Sequence, residues 1–396
     1  MGGPRVALAD GPGTPTVSPA SAMIRLGRSV GRLVLGWTTD PAAWLDELAL
    51  GSATTVMGGY ALRRHVERGA VRYLPVRLAA TPRLLMGPLR PDVTLVRGVP
   101  RGSGFCFADS VSWGQTAARQ ACDGVVVLVE PGAADLETPM IEGDVVGVVE
   151  TDVVRHPVQA RTADPALAEI ARFVREMLPD EPTLQTGPGA VAEAVLGALD
   201  SPVRVWTGLA TEGVADLADS GLLRAPAVAT YVAGGDRVRA MAADRSLHLR
   251  PIEETHTQSA IHQLPRFVAV NTALQVGLDG SVNVESIGGR HMSGVGGHPD
   301  FCAAAATHPD GLSVVALRSE HGGRSTLVDR VERVSTPGCD VDLVVTEHGI
   351  ADLRGADAAD RARRIAAVAA PSAREELLRA AACDAPATCC GHRSPR

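Results

Sequence analysis

Leu184-Gln185-Thr186-Gly187-Pro188-Gly189-Ala190-Val191, running on through Ala192 to Leu199, reads as a strand, a glycine turn and a helix. Ala, Val and Leu after the turn favour helix, while the glycines supply backbone freedom between the two elements. Upstream, Gly124 to Glu130 and Val145 to Glu150 are continuous apolar, β-branched runs, the pattern of strands buried on both faces. Between them and the turn, Asp164 to Leu178 places Leu167, Ile170, Ala171, Phe173, Val174 and Leu178 on one helical stripe, and Pro179-Asp180-Glu181-Pro182 ends it. Downstream, Asp279-Gly280 separates Phe267–Leu278 from Ser281–Ser286, the signal of a tight hairpin. Val314 to Leu317 and Asp342 to Thr346 predict two more strands, and Ala356 to Ala370 a late helix. Such alternation means α/β layers around a largely parallel sheet.

At 396 residues and 45% hydrophobic content the chain has enough material for two domains. The divisions expected are a flexible Gly/Pro-rich leader over 1–20, a first domain over 21–178, a second over 179–380, and a flexible tail over 381–396. No repeat of 20–50 residues is visible. A net charge of −7 argues against nucleic acid as a partner. The sequence contains no lysine, which excludes Schiff-base and lysine-base chemistry. No apolar run approaches the roughly 18 residues needed to span a bilayer, so no membrane partner and a cytoplasmic protein are expected. The 7 cysteines do not form a disulfide scaffold. Cys383, Cys389, Cys390 and His392 lack the paired spacing of zinc sites, so no metal is expected.

Three constellations carry chemistry. Gly187-x-Gly189-x-x-Ala192, with Glu212 about 20 residues on, matches the dinucleotide fingerprint, but Pro188 is an unusual occupant and no βαβ context precedes it. Ser293-Gly294-Val295-Gly296-Gly297-His298-Pro299-Asp300-Phe301 leaves backbone N–H groups open to a closely approaching ligand, as an anion nest or oxyanion hole requires. His291 and His298 flank this loop as candidate substrate contacts. Val345-Thr346-Glu347-His348-Gly349-Ile350-Ala351-Asp352-Leu353-Arg354-Gly355 brings a third block with an acidic residue at its turn.

Taken with Val268 to Leu278 and Ser286 to Phe301, these blocks resemble, in order, the second half of the acetyl-CoA hydrolase/transferase family. A looser likeness covers the first half, through Pro75 to Leu85, Pro91 to Val96, Gly104-Phe105-Cys106, Ser110-Val111-Ser112 and the strand into Glu130-Pro131. The resemblance implies two CoA-transferase-like α/β domains with the active site between them, and an acyl-CoA substrate with no tightly bound cofactor. It further implies that Gly187, Gly189, Gly294 and Gly296 contact coenzyme A, and that the N–H groups of Val191 and Gly297 hold the oxyanion. Glu347 matches a family glutamate expected near the site, either as a hydrogen-bonding partner or as a cap on the Gly349–Arg354 turn. The acyl group, the acyl acceptor and any homo-oligomer are left open.

Two departures alter the expected chemistry. The family's nucleophilic glutamate follows a threonine a few residues before Gly-Val-x-Asp-Leu; here Trp206-Thr207-Gly208 precedes Gly213-Val214-Ala215-Asp216-Leu217, placing Gly208 where the glutamate belongs. Glycine has no side chain with which to attack a thioester. In Glu253-Glu254-Thr255-His256, His256 stands where the family has asparagine. A histidine near pKa 6.5 suits a general base for acyl transfer or hydrolysis without the glutamyl-CoA intermediate. The alternatives are CoA transfer with Glu212 as substitute nucleophile, or an inactive CoA-binding subunit.

Overall fold

A computed structural model describes residues 3–39, 41–49, 51–155 and 164–383. The first lobe is built on a sheet whose strands lie in the order Val71–Tyr73, Ala53–Thr55, Arg32–Leu35, Arg5–Leu8, Val93–Arg101, Val125–Val129, Val145–Glu150. Every pairing along that path is parallel. The second lobe repeats the idea, with Arg204–Val205, Thr183–Thr186, Phe267–Asn271, Leu312–Ala316, Leu343–Thr346 and Gly349–Asp352 in order. Only the last pairing is antiparallel. The fold is α/β.

The quoted stretch folds as read: strand Thr183–Thr186, then the turn, then helix Ala190–Gly197. Gly189 caps that helix at φ 117°, a conformation closed to residues with a Cβ. The Asp164 stripe is helix Pro165–Met177, with Asp164 accepting from the Ala166 N–H at its N-cap. The Asp-Gly signal forms the turn between antiparallel Gln275–Gly277 and Val282–Asn283. Strand Leu312–Ala316 overlaps Val314 to Leu317, and helix Ala358–Ala367 lies within Ala356 to Ala370.

Three expectations are corrected. Residues 1–20 are no loose leader, because Arg5–Leu8 is a central strand hydrogen-bonded on both sides and Val6 and Ala7 are fully buried. Four apolar positions suffice for a buried parallel strand, and the surrounding Gly and Pro obscured them. The Pro165–Met177 helix, placed in the first domain, packs against the second lobe's Ala190–Gly197 helix and Leu343–Thr346 strand, so the break falls before it. Val145–Glu150 is an edge strand instead of a doubly covered one, leaving Val145, Val146 and Val148 40–48% exposed. The expected tail lies outside the described residues beyond Cys383, where helix Pro371–Cys383 ends.

One hydrophobic core runs through both lobes, joining Val96, Val125 and Val127 of the first sheet to Val268, Val314 and Val345 of the second. Backbone hydrogen bonds stitch the seam, from Val111 N–H to Thr230 O, Val232 N–H to Asp109 O and Ile252 N–H to Ser112 O. The consequence is that the carboxyl ends of both parallel sheets converge on one cleft, where open α/β sheets bind ligands.

Candidate active site

A cavity of about 260 Å³ lies in that cleft. The first lobe contributes Trp37, Met57 and Leu78, each a few residues past the carboxyl end of a parallel strand. From the second lobe come Gly187 and Pro188 after Thr183–Thr186, Gly208 after Arg204–Val205, and Thr272 after Phe267–Asn271. The loop Ser293 to Gly297 closes one side, and His256 and Phe301 another.

The glycine loop is held by the first lobe. Gly296, at φ 62°, accepts from the Leu78 N–H at 2.9 Å, and the Val295 N–H donates to the Tyr73 hydroxyl at 3.0 Å. A Cβ on Gly294 would lie 2.9 Å from the Val56 carbonyl, so this glycine is required for the lobes to meet. Buried Asp300 accepts from the Ala79 N–H at 2.9 Å, and its carboxyl is pushed up to about 7 by burial, against the lowering effect of that N–H and of Arg77. Gly297 is the N-cap of helix His298–Thr307. The first N–H groups of a helix have no intrahelical partner, and the dipole there favours negative charge, so this end of the cavity suits an oxyanion.

His256 lines the cavity between Gly208 and Gly297. Its ring packs on Phe301, with centroids 4.4 Å apart, and its Nδ1 lies 2.8 Å from the Thr255 hydroxyl. Thr255 donates its only hydroxyl proton to the Pro251 carbonyl at 3.2 Å, leaving lone pairs for a proton on Nδ1. In the Nδ1–H tautomer that this arrangement allows, Nε2 is the basic nitrogen, and it lies between Gly208 and Gly297: a Cβ built on Gly208 would meet Nε2 at 3.6 Å, and one on Gly297 at 2.7 Å. The expectation of a pKa near 6.5 is corrected. Burial with no compensating anion drives His256 down to about 3, so the imidazole is neutral at working pH.

The remaining sequence candidates separate. Gly187, Gly294, Gly296, Gly297 and His298 line the cavity; Gly189 and Val191 do not, though Val191 sits in the first turn of the helix that follows Pro188. His298 places Nδ1 2.7 Å from the Thr336 hydroxyl, and burial lowers it to about 4. His291 turns away and stacks on Tyr73, with centroids 4.6 Å apart. Glu212 is outside the cavity: its carboxylate accepts from the Gly235 N–H at 2.6 Å and lies 3.3 Å from Arg237. Glu347 lines a separate polar pocket and accepts from the N–H and hydroxyl of Ser319, both at 2.8 Å. Among the described residues, no cluster of three or more His, Cys, Asp or Glu can hold a metal, and no helix is long and apolar enough to cross a membrane.

Sequence reading missed Trp37, Met57, Leu78 and Tyr231 in the wall and Thr255 behind the histidine. The only local signal for the first three is their position just beyond a strand end.

Fold and site together define a two-lobed, CoA-transferase-like α/β protein with its site at the facing strand ends. Residues 237–381 match the family model described as the acetyl-CoA hydrolase/transferase C-terminal domain. The chain is 28% identical over 352 residues to a 4-hydroxybutyrate coenzyme A transferase of Clostridium kluyveri, covering 81% of this chain and 79% of that one. It is 31% identical over 205 residues to an acetyl-CoA hydrolase of Saccharomyces cerevisiae, covering 46% and 38%. In fold it is similar to RipA from Yersinia pestis, with TM-score 0.83, 24% identity and coverage of 96% and 94%. A 4-hydroxybutyrate CoA-transferase from Porphyromonas gingivalis gives TM-score 0.71 at 22% identity, covering 95% and 92%. The C-terminal part of the chain thus matches the acetyl-CoA hydrolase/transferase family, and its relatives are CoA-transferases and acetyl-CoA hydrolases, which supports an acyl-CoA hydrolase/transferase-like enzyme.

Proposed function

We propose that this protein cleaves an acyl-CoA thioester by direct transfer of the acyl group to water or a small nucleophile, without a glutamyl-CoA intermediate. The observation that carries this reading is the placement of the bare His256 Nε2 beside side-chain-free Gly208 and beneath the Gly297 helix end. Water held at Nε2 attacks the thioester carbon; as the C–O bond forms, its proton passes to Nε2 and the carbonyl electrons move onto oxygen, facing the Gly297 N–H. The second donor that the family resemblance implies is the Val191 N–H, in the first turn of the neighbouring helix but outside the cavity lining. Collapse of the tetrahedral centre breaks the C–S bond, and the thiolate leaves with the proton from His256. A base as weak as His256 does not ionise water beforehand, so transfer is concerted with attack, when the attacking oxygen has become acidic.

The cavity adjoins an outer groove, and Tyr60 and Ser293 line both. Arg63 and Arg64 line that groove, and guanidinium groups suit the phosphates of coenzyme A. The rival reading, CoA transfer through Glu212, has to detach that carboxylate from Gly235 and Arg237 first.

The test is to incubate purified protein with an acyl-CoA panel, follow thiol release, and search for a borohydride-reducible glutamyl adduct by mass spectrometry. Thiol release without adduct is expected, abolished by His256→Asn. An adduct on Glu212 overturns the mechanism in favour of transfer, and CoA binding with no thioester loss identifies an inactive CoA-binding subunit.

A further inference from the structure

The cavity wall carries no Asp, Glu or Arg among the described residues, and the sequence has no lysine to supply a cation. Its titratable side chains with physiological relevance are His256 and His298, both held neutral by burial. The polar lining is largely paired with itself. The Asn271 amide donates to Gln185 Oε1 at 2.8 Å, and the Gln185 amide donates to Asn271 Oδ1 at 3.2 Å. Tyr231 spends its hydroxyl on a buried network, donating to Asp10 Oδ2 at 2.5 Å with Ser112 Oγ also at 2.5 Å, so what it adds to the cavity is its ring. Trp37 stands edge-on to Tyr231 at 5.4 Å between centroids and leans on Tyr60 at 5.1 Å, and Met57 completes that side.

From these contacts we infer that the acyl group accepted here is an uncharged, apolar chain or ring seated against Trp37, Met57 and Tyr231, and that acyl groups ending in a carboxylate are excluded. This rests on the proposed acyl-CoA reading of the same cavity and narrows its substrate class. A carboxylate entering this space gives up its hydration and finds no cation. The nearby arginines do not reach in: Arg63 and Arg64 line the outer groove, and Arg77 lies 3.7 Å from Asp300. Aromatic faces and a methionine thioether supply adaptable dispersion contacts for a chain or a ring.

Calorimetry with non-cleavable thioethers reads this without any chemistry: S-butyl-CoA, S-(2-phenylethyl)-CoA and S-(3-carboxypropyl)-CoA. The first two are expected to bind at least about tenfold more tightly than the third. Met57→Arg should reverse the order by giving the carboxylate a partner, and Trp37→Ala should weaken the phenyl compound more than the butyl one. Equal or tighter binding of the carboxylate compound to the wild-type protein overturns the inference while leaving coenzyme A binding intact. The expected order together with no cleavage of real acyl-CoA leaves this inference standing and removes the His256 mechanism. If neither free CoA nor any thioether binds, both fall.

Discussion

Gly208 and Gly297 face the same imidazole from two sides, yet they are glycine for opposite reasons. A Cβ at Gly297 would lie 2.7 Å from both Nε2 and Cδ2 of His256 and 3.2 Å from Phe301, which real structures do not tolerate. A Cβ at Gly208 would meet nothing nearer than 3.6 Å, an ordinary van der Waals contact. Neither glycine is demanded by backbone conformation: Gly297 has φ −87°, and Gly208 is not among the positive-φ glycines. Packing requires one glycine and merely permits the other. A Cβ therefore fits at 208 without displacing its neighbours, and does not fit at 297.

That contrast is open to attack by substitution. The largest effect is expected from His256→Asn, which removes the only base at Nε2 and should lower the rate of thioester cleavage about 10²–10⁴-fold. Steady-state thiol release measures it, and an unchanged rate would exclude His256 from the chemistry. Gly297→Val should cost about 10²–10³-fold in kcat/KM by displacing the imidazole and crowding the oxyanion donor, together with a clear fall in melting temperature from the clash with His256 and Phe301. An unchanged melting temperature would contradict the packing requirement at Gly297.

Gly208→Glu should fold normally and convert the site toward covalent chemistry, giving a glutamyl-CoA adduct that mass spectrometry detects after borohydride reduction. Failure to fold would contradict the spacing around Gly208. A weaker signature lies in pH. With its pKa lowered to about 3, His256 stays neutral from pH 5 to 8, so the ratio of wild-type to His256→Asn rates should be constant across that window. At an ordinary pKa of about 6.5 the ratio would instead fall roughly tenfold per unit below it. Stability has a definite sign as well. Below about pH 6.5 the unfolded chain takes up a proton that folded His256 refuses until about pH 3, so stability is lost as pH falls through this range. The wild-type melting temperature should accordingly drop more steeply than that of His256→Asn between pH 6.5 and 4. Burial raises Asp10 and Asp300 to about 7, which acts in the opposite direction but equally in both proteins, so it cancels in the comparison.

Legibility differed by element. The Val125–Val129 strand and the Thr183–Gly197 unit were readable because apolar run, glycine and helix former are adjacent in sequence. Val145–Glu150 carries the same apolar letters as its neighbour but lies at the sheet edge, a fact about strand order that composition does not encode. Arg5–Leu8 was hidden by the opposite fault, a short core strand inside a stretch that looks like a linker. Of the site, the glycine loop was visible as a motif, and Gly208 as a cavity position without a side chain. Glu212 and Glu347 resembled site residues in sequence, but their carboxylates are turned to Gly235 with Arg237 and to Ser319, respectively.

By itself the sequence determined the α/β class, the glycine turns and the absence of a nucleophilic side chain at 208, because each depends on residues within a few positions of one another. Tertiary structure alone decided that burial lowers the His256 pKa and that the cavity wall, among the described residues, carries no Asp, Glu or Arg. Those properties come from desolvation and from side chains such as Trp37, Met57 and Tyr231, brought together from strand ends and loops far apart in the chain.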